Sequence, residues 1–375
     1  MAAQLITGTA FGNTNTRIAF SSVLHRESKD KMWLTKRGMI SRDTGGEGAF
    51  ERSGGLPIRS VEALNNRRAQ EVRIGMMNQL TTNRTQATGT RALNAATYGS
   101  ASANLMVGNE EAAALRSCIV YVEQSKHATS TVTPEIQDLR TEFKVTAQLG
   151  GLLTDWMAQE DEENHLDAFY DAYSGHVVGG VSSASAADPP TNNLRYAGGA
   201  ADDLSLGTTN RLTPAELRSM WGWLQTNNIN PIRLPGFEDC YVLLVHPLNL
   251  IDLYGNSEFQ TIYAQGADRG QNDNPIFGKA EVKYMNIYIH AYNRVRAVDG
   301  AANVRRCLLL GADAVASGTT VRPRLVRRKE DDYEDILGLG IKSIHGEARF
   351  DWAPVSGTTI NQAMAIWGIY TAAAA

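Results

Sequence analysis

The chain has 375 residues, with 36 Lys and Arg against 40 Asp and Glu, and a formal net charge of -4. So small a charge excludes a global field that would draw the chain onto nucleic acid or an anionic membrane. A hydrophobic share of 43% allows a sizeable core, and no uncharged apolar stretch reaches the about 20 residues of a membrane span.

The start, Met1-Ala2-Ala3-Gln4-Leu5-Ile6, has neither the basic nor the long apolar segment of a secretory leader. Cys118, Cys240 and Cys307 are odd in number and far apart, which argues against a disulfide framework or a zinc site. The expectation is a cytoplasmic chain with reduced thiols.

Residues 1–58 mix Gly, Thr, Ser, Asn and charge, with loop signals at Thr44-Gly45-Gly46 and Ser53-Gly54-Gly55. They read as a loose terminus or as an arm that orders on a neighbouring subunit. The short apolar patches Ile18-Ala19-Phe20 and Met32-Trp33-Leu34 are candidates for docking.

Residues 70–125 predict a long hairpin. Val72 to Met77 is the outgoing strand and Ile119 to Val122 the returning one, around a Thr-, Asn- and Ala-rich span. Thr133-Pro134-Glu135 then predicts a helix start: a capping Thr, Pro in the first turn and an acid beside it. Apolar residues follow at helical spacing from Ile136 through Leu153, Trp156 and Phe169 to Tyr173, ending at Gly175. A continuous helix here is about 40 residues and roughly 60 Å long, with Gly150-Gly151 as a place to bend.

Residues 178–210, rich in Gly, Ser, Ala and Asn, predict a mobile loop. Thr213-Pro214-Ala215-Glu216 is a capping box opening a second helix. Beyond it the reading alternates: strand Tyr241–Val245, short helix Pro247–Tyr254, a strand-like stretch Val282–Ala291, a buried strand Arg306–Leu310, and final strands at Ile336–Ile344 and Ala363–Tyr370. The mixture is α+β, without internal repeat.

Catalytic signals are weak. Gly270 to Lys279 ends like a phosphate loop but is too long, and Ala280 stands where Ser or Thr would bind magnesium; Gly338-Leu339-Gly340 lacks the third glycine of a dinucleotide fingerprint. His246 and His290 lie at ends of apolar strands with no nucleophile in a recognisable setting. Glu160, Asp161, Glu162, Glu163, His165 and Asp167 could supply metal ligands. Consecutive helical residues point in different directions, however, and a solvated or partner-facing surface is the plainer reading.

Charge distribution says more. Between Arg59 and Arg91 stand six arginines (Arg59, Arg67, Arg68, Arg73, Arg84, Arg91) against two glutamates, whereas Thr133 to Gly175 holds ten acids and two bases. A basic hairpin on a chain with an acidic helix suits pairing between copies, where opposite charge fixes register and speeds encounter. Contact of these arginines with nucleic acid is the rival reading, weakened by the absence of aromatics between 59 and 91. A second switch puts Arg322, Arg324, Arg327, Arg328 and Lys329 directly before Glu330, Asp331, Asp332, Glu334 and Asp335. It reads either as charged strand edges that discourage edge pairing or as a head-to-tail contact around a ring.

Several short motifs, in this order, resemble phage major capsid proteins of the N4-like group. They are Gly108-Asn109-Glu110-Glu111, Ile119-Val120-Tyr121-Val122-Glu123-Gln124-Ser125-Lys126-His127-Ala128, Leu153-Thr154-Asp155-Trp156, Pro231-Ile232-Arg233, Tyr241 to Pro247, Asn274 to Gly278 and Leu309-Leu310-Gly311-Ala312. The resemblance spans roughly residues 20 to 350; the hairpin tip and the insertion after Val178 depart from it.

It implies the Hong Kong 97-type capsid fold: an arm (1–58), an extended hairpin with flanking strands (59–125), a peripheral domain with a long spine helix (126–177), an axial domain (178–325) and returning strands (326–375). It further implies a structural, non-enzymatic protein without cofactor. Such a protein forms hexamers and pentamers of an icosahedral head around double-stranded DNA, built in a bacterial cytoplasm. Portal, scaffolding and decoration proteins are possible partners, DNA contact is non-specific, and no membrane is involved. Arg67, Arg68, Arg73, Arg84, Arg91, Glu160, Asp161, Glu162, Glu163, Arg327, Arg328, Asp331 and Asp332 are the candidate assembly contacts. An encapsulin-like compartment shares the fold, and a metal enzyme built around His165 is the remaining alternative.

Overall fold

The computed structural model describes residues 32–42, 55–61, 71–77, 115–132, 145–170, 193–233, 239–265, 281–298, 301–328, 336–350 and 363–371. Two larger sheets and one long helix organise them.

The larger sheet is built from runs too apolar to face water on either side. In β7 (Tyr241–Val245) all five residues are buried, and in β14 (Met364–Tyr370) all but the last. These strands sit inside the order β6-β14-β11-β7-β9-β8, where β6 is Leu194–Tyr196, β8 Val282–Tyr284, β9 Ile287–Ala291 and β11 Ala301–Leu310; β10 (Ala297–Val298) pairs with β11. Burial on both faces is what continuous hydrophobic runs require. The expected Val282–Ala291 strand is in fact two, because Met285 takes a positive φ of 50° and turns β8 back onto β9.

The smaller sheet has the order β1-β2-β12-β13-β5, with β1 Ile40–Arg42, β2 Ile58–Val61, β5 Glu123–Val132, β12 Val315–Arg327 and β13 Ile336–Arg349. Among the described strands, β3 (Glu71–Met77) and β4 (Leu115–Tyr121) pair only with each other, antiparallel from Glu71↔Tyr121 to Met77↔Leu115, as the hairpin reading expected. The hairpin tip lies outside the described residues.

Two parts of the expected arm belong to the fold. Trp33–Lys36 forms a helical turn, α1, whose Leu34 is fully buried, and Trp33 packs 4.5 Å from the Tyr292 ring. Ile58 and Arg59 are buried in β2, which pairs parallel with β12, so Arg59 is a sheet residue and not part of the basic hairpin. Met32-Trp33-Leu34 therefore docks on its own chain. Ile18-Ala19-Phe20 lies outside the described residues.

The long helix α2 runs from Val145 to Tyr170, 26 residues or about 39 Å, and continues through Gly150-Gly151. The expected Thr133-Pro134 start and Gly175 end lie outside the described residues. Its first half packs Leu149, Leu153 and Met157 against Leu325, Leu339 and Ile341 of the smaller sheet, while Leu166, Phe169 and Tyr170 enter the core of the larger one.

The 178–210 loop reading is corrected at its second half. Leu194–Tyr196 is strand β6, parallel to β14, and Asn193 donates to the Met364 carbonyl. A Gly-, Ala- and Asn-rich span around it conceals a strand of only three residues. Helix α3 (Pro214–Thr226) starts at Thr213, which accepts from the Glu216 amide, but the box is half closed. The Glu216 carboxylate turns inward to accept from Trp367 Nε1 at 2.7 Å and the Gly198 amide at 3.0 Å. Helices α4 (Pro247–Tyr254) and α5 (Ser257–Gln265) follow.

The chain passes between the sheets at Gly311–Ala314, ahead of the expected boundary at 325, since apolar β11 runs almost directly into apolar β12. Gly311 donates to Ala363, Ala312 to Asn230, Asp313 to Leu56 and Ala314 to Pro57. A Cβ on Gly311 would lie 2.2 Å from the Asn230 carbonyl oxygen and 3.0 Å from that of Ala363. Gly311→Ala should therefore destabilise by about 3 kcal/mol in chemical denaturation. Gly151→Ala, on an exposed helical position with nothing within 4 Å, should stabilise by about 1 kcal/mol.

Candidate assembly surfaces

The acidic run of α2 is divided by the helical repeat. Asp161 and Glu162 are 9% and 6% exposed, whereas Glu163 and Asp167 fall on the outer side with Asp155 and Gln159, and Glu160 is half-buried. The acids diverge onto different partners. Tyr292 donates its hydroxyl to Glu162 at 2.9 Å; Arg294 stands 3.0 Å from Glu163 and 3.7 Å from Glu162; Arg296 pairs with Asp167. Burial, then Glu162, pushes the Tyr292 hydroxyl well above its ordinary range, so it stays protonated as donor.

This corrects the reading of the whole run as a surface for another copy: Asp161 and Glu162 are turned into their own chain. Sequence reasoning missed Arg294 and Arg296. No local pattern signalled them, since Tyr292 to Arg296 is a turn between β9 and β10.

Asp161 instead meets β13. His345 Nε2 lies 3.3 Å from Asp161 Oδ1, and Ser343 Oγ lies 2.9 Å from His345 Nδ1. His165 Nδ1 lies 2.5 Å from the Asp161 carbonyl oxygen, which can only accept, so that nitrogen carries the proton. Along β13 the helix-facing residues thus change from Leu339 and Ile341 to Ser343 and His345, in step with the change along α2 from Leu153 and Met157 to Asp161. Among the described residues, no three His, Cys, Asp or Glu side chains stand where one ion could be held.

Of the candidate hairpin arginines, Arg73 lies in β3, opposite Ile119, and Arg116, not singled out from the sequence, lies in β4, opposite Met76; Arg67, Arg68, Arg84 and Arg91 lie outside the described residues. The hairpin base approaches β13 closely, because a Cβ on Gly346 would fall 1.9 Å from the Tyr121 carbonyl oxygen. The second charge switch starts on β12. Strand β2 pairs with β12 only from Val315 to Gly318, so Thr319 to Arg327 is bonded to β13 on one side alone among the described strands. Arg327 is half-buried and Arg328 exposed, with its amide donating to Gly338. Asp331 and Asp332 lie outside the described residues.

Burial pushes the thiols of Cys240 and Cys307 up to about 12, which leaves both inert at neutral pH.

The fold has known counterparts. The phage capsid protein family matches residues 38–375. This chain belongs to that family. Among solved structures, the capsid of Ralstonia phage GP4 aligns with a TM-score of 0.68 at 17% identity, covering 91% of this chain and 92% of that one. The Cyanophage Pam1 capsid aligns at 0.64 and 16%, covering 92% and 93%. The head of Helicobacter pylori bacteriophage KHP40 aligns at 0.55 and 13%, covering 84% and 86%. No curated protein is matched. The fold is thus the Hong Kong 97-type capsid fold, and the chain is a major capsid shell protein. In this capsid protein α2 is held at its acidic end by Tyr292, Arg294 and Arg296.

Two measurements test that clamp. Tyr292→Phe leaves a buried carboxylate short of a donor and should lose about 1–3 kcal/mol of stability in urea titrations. Glu160 has its pKa raised, first by burial and then by Asp161, Asp167 and Glu163. A carboxyl that holds its proton more tightly when folded favours folding below its unfolded pKa and loses that contribution as pH rises through the folded value. Glu160→Gln should therefore melt above the parent at pH 7, with the gap closing as pH falls through the glutamate range.

Proposed function

We propose that this capsid protein assembles as hexamers and pentamers into an icosahedral phage head around double-stranded DNA, with the β3–β4 hairpin reaching a neighbouring subunit. The observation that carries the reading is the hairpin itself: it pairs only with itself among the described strands. A lone two-stranded ribbon is marginal in water and gains stability by lying on another surface. Arg67, Arg68, Arg73, Arg84 and Arg91 give it a basic character, and the outer stripe of the spine helix offers Glu160, Glu163 and Asp167. Arg294 and Arg296 already share the last two, so the inter-subunit attraction is partial and acts chiefly on encounter and register.

The shell interior meets packaged DNA without reading its sequence, and portal, scaffolding and decoration proteins complete the head. Assembly takes place in the host cytoplasm, and the role is structural, without catalysis. An encapsulin-like compartment would use the same fold; membership of the phage capsid family favours the phage head.

Negative-stain electron microscopy with sizing at two salt concentrations tests this. Closed particles or capsomer rings support it; a chain that stays monomeric with crowding agent and scaffold overturns it. Reversing Arg67 and Arg68 to Glu should leave the monomer's circular dichroism and melting unchanged while blocking or misdirecting shell formation. Normal shells from that variant would end the proposed hairpin contact.

A further inference from the structure

The face of the smaller sheet turned away from α2 carries a row of like charges. In the antiparallel registers Arg324 lies opposite Lys342, and Lys342 opposite Lys126, so three cations line up across β12, β13 and β5. The side chains that meet α2 (Leu325, Leu339, Ile341) occupy the alternate positions, which puts the cations on the other face. Arg324 and Lys126 are exposed and Lys342 is half-buried. Among the described residues, no carboxylate pairs with any of the three. Like charges directly opposite one another in a sheet are unfavourable, so the row gains from an anionic partner.

Beside the row the face is hollow. The next register step places Val326, Gly340 and Ala128 side by side. Their small side chains leave a trough of about 390 Å³, with Lys126 and Lys342 also at its wall. A seat of this kind fits an apolar or aromatic side chain flanked by carboxylates.

The chain holds one such segment directly after β12: Glu330-Asp331-Asp332-Tyr333-Glu334-Asp335, a tyrosine with acids on both sides. We infer that this acidic segment of one subunit docks on the cation row of a second copy, with Tyr333 in the trough at Gly340 and the acids on Lys126, Lys342 and Arg324. The inference rests on the shell reading above and deepens it. A donor and a receptor at different places on one subunit form a head-to-tail contact, the kind that closes into rings.

The test uses full-length protein, with wild-type assembly as control. If wild type forms no particles, the shell reading fails. If wild type assembles, the outcomes bear on this contact alone. Lys126→Glu with Lys342→Glu turns one of the two like-charge contacts in the row, that between Arg324 and position 342, into an opposite-charge one, so the monomer should melt no lower than the parent while particle yield falls at least tenfold. Adding Asp331→Lys and Asp332→Lys in the same chain should restore particles. Gly340→Val fills the trough at a position where a Cβ meets only ordinary contacts, the nearest the His127 carbonyl oxygen at 3.4 Å; it should fold and assemble poorly, as should Tyr333→Ala. Mixing Ala128→Cys chains with Tyr333→Cys chains under oxidising conditions should give disulfide-linked dimers. Normal particles from the lysine reversals, or no restoration by the compensating pair, would overturn the inference. So would a cross-link formed only within one doubly substituted chain, or reversals that abolish duplex DNA binding while particles form normally.

Discussion

Gly311–Ala314 is where the backbone itself decides the architecture. Four successive amides in this stretch are given to three separate segments, at Ala363, Asn230 and Leu56-Pro57. The three lie far apart in the chain. Each buried amide must be satisfied, so the junction sets the relative position of the larger sheet, the smaller sheet and the segment leading to β2 together. Only glycine tolerates the approach of two carbonyls at its first position. The orientation of the two sheets is thus settled within a few residues, and the strands on either side inherit it.

Helix α2 reinforces that orientation from outside the junction. It belongs to both cores, apolar against β12 and β13 at one end and buried at Phe169 and Tyr170 in the larger sheet at the other. Between the two lies a polar stretch, and it matches its surroundings residue by residue: Asp161 with His345, Glu162 with Tyr292, Asp167 with Arg296. A helix sliding by a little over two turns along β13 would bring Asp161 against Ile341 and leave a carboxylate without partners, which costs several times the loss of an exposed ion pair. Register between helix and sheet is therefore specified by where charge is allowed.

What could be read in advance follows from range. β7, β11 and β14 were legible because unbroken apolar runs need no partner to be recognised, and α3 because Thr213-Pro214 is a local cap. The hairpin was legible from two β-rich stretches around a loop. β5 was missed: Glu123–Val132 is polar, and only its pairing with β13 makes it a strand. β6 was missed because its three residues lie in a Gly-, Ala- and Asn-rich span and pair with the distant β14. On the surfaces, the contrast between basic hairpin and acidic helix was visible in composition. The inward turn of Asp161 and Glu162 was not, because it depends on residues more than a hundred positions away. Family resemblance supplied what range denied, since ordered short motifs carry the long-range arrangement with them.

The pairing of β5 with β13 has a consequence for how the chain is made. The two strands are separated by about 200 residues, so at about 5–20 residues per second β5 leaves the ribosome roughly 10–40 s before its partner exists. For that interval a ten-residue extended segment has open hydrogen-bonding edges, on a polysome where identical segments emerge side by side. Edges of this kind seed strand exchange and aggregation unless charge interrupts them. Glu123 and Lys126 stand within the first four residues of β5, and its composition is polar throughout. The polarity that hid this strand in the sequence is also what keeps it single until its partner arrives.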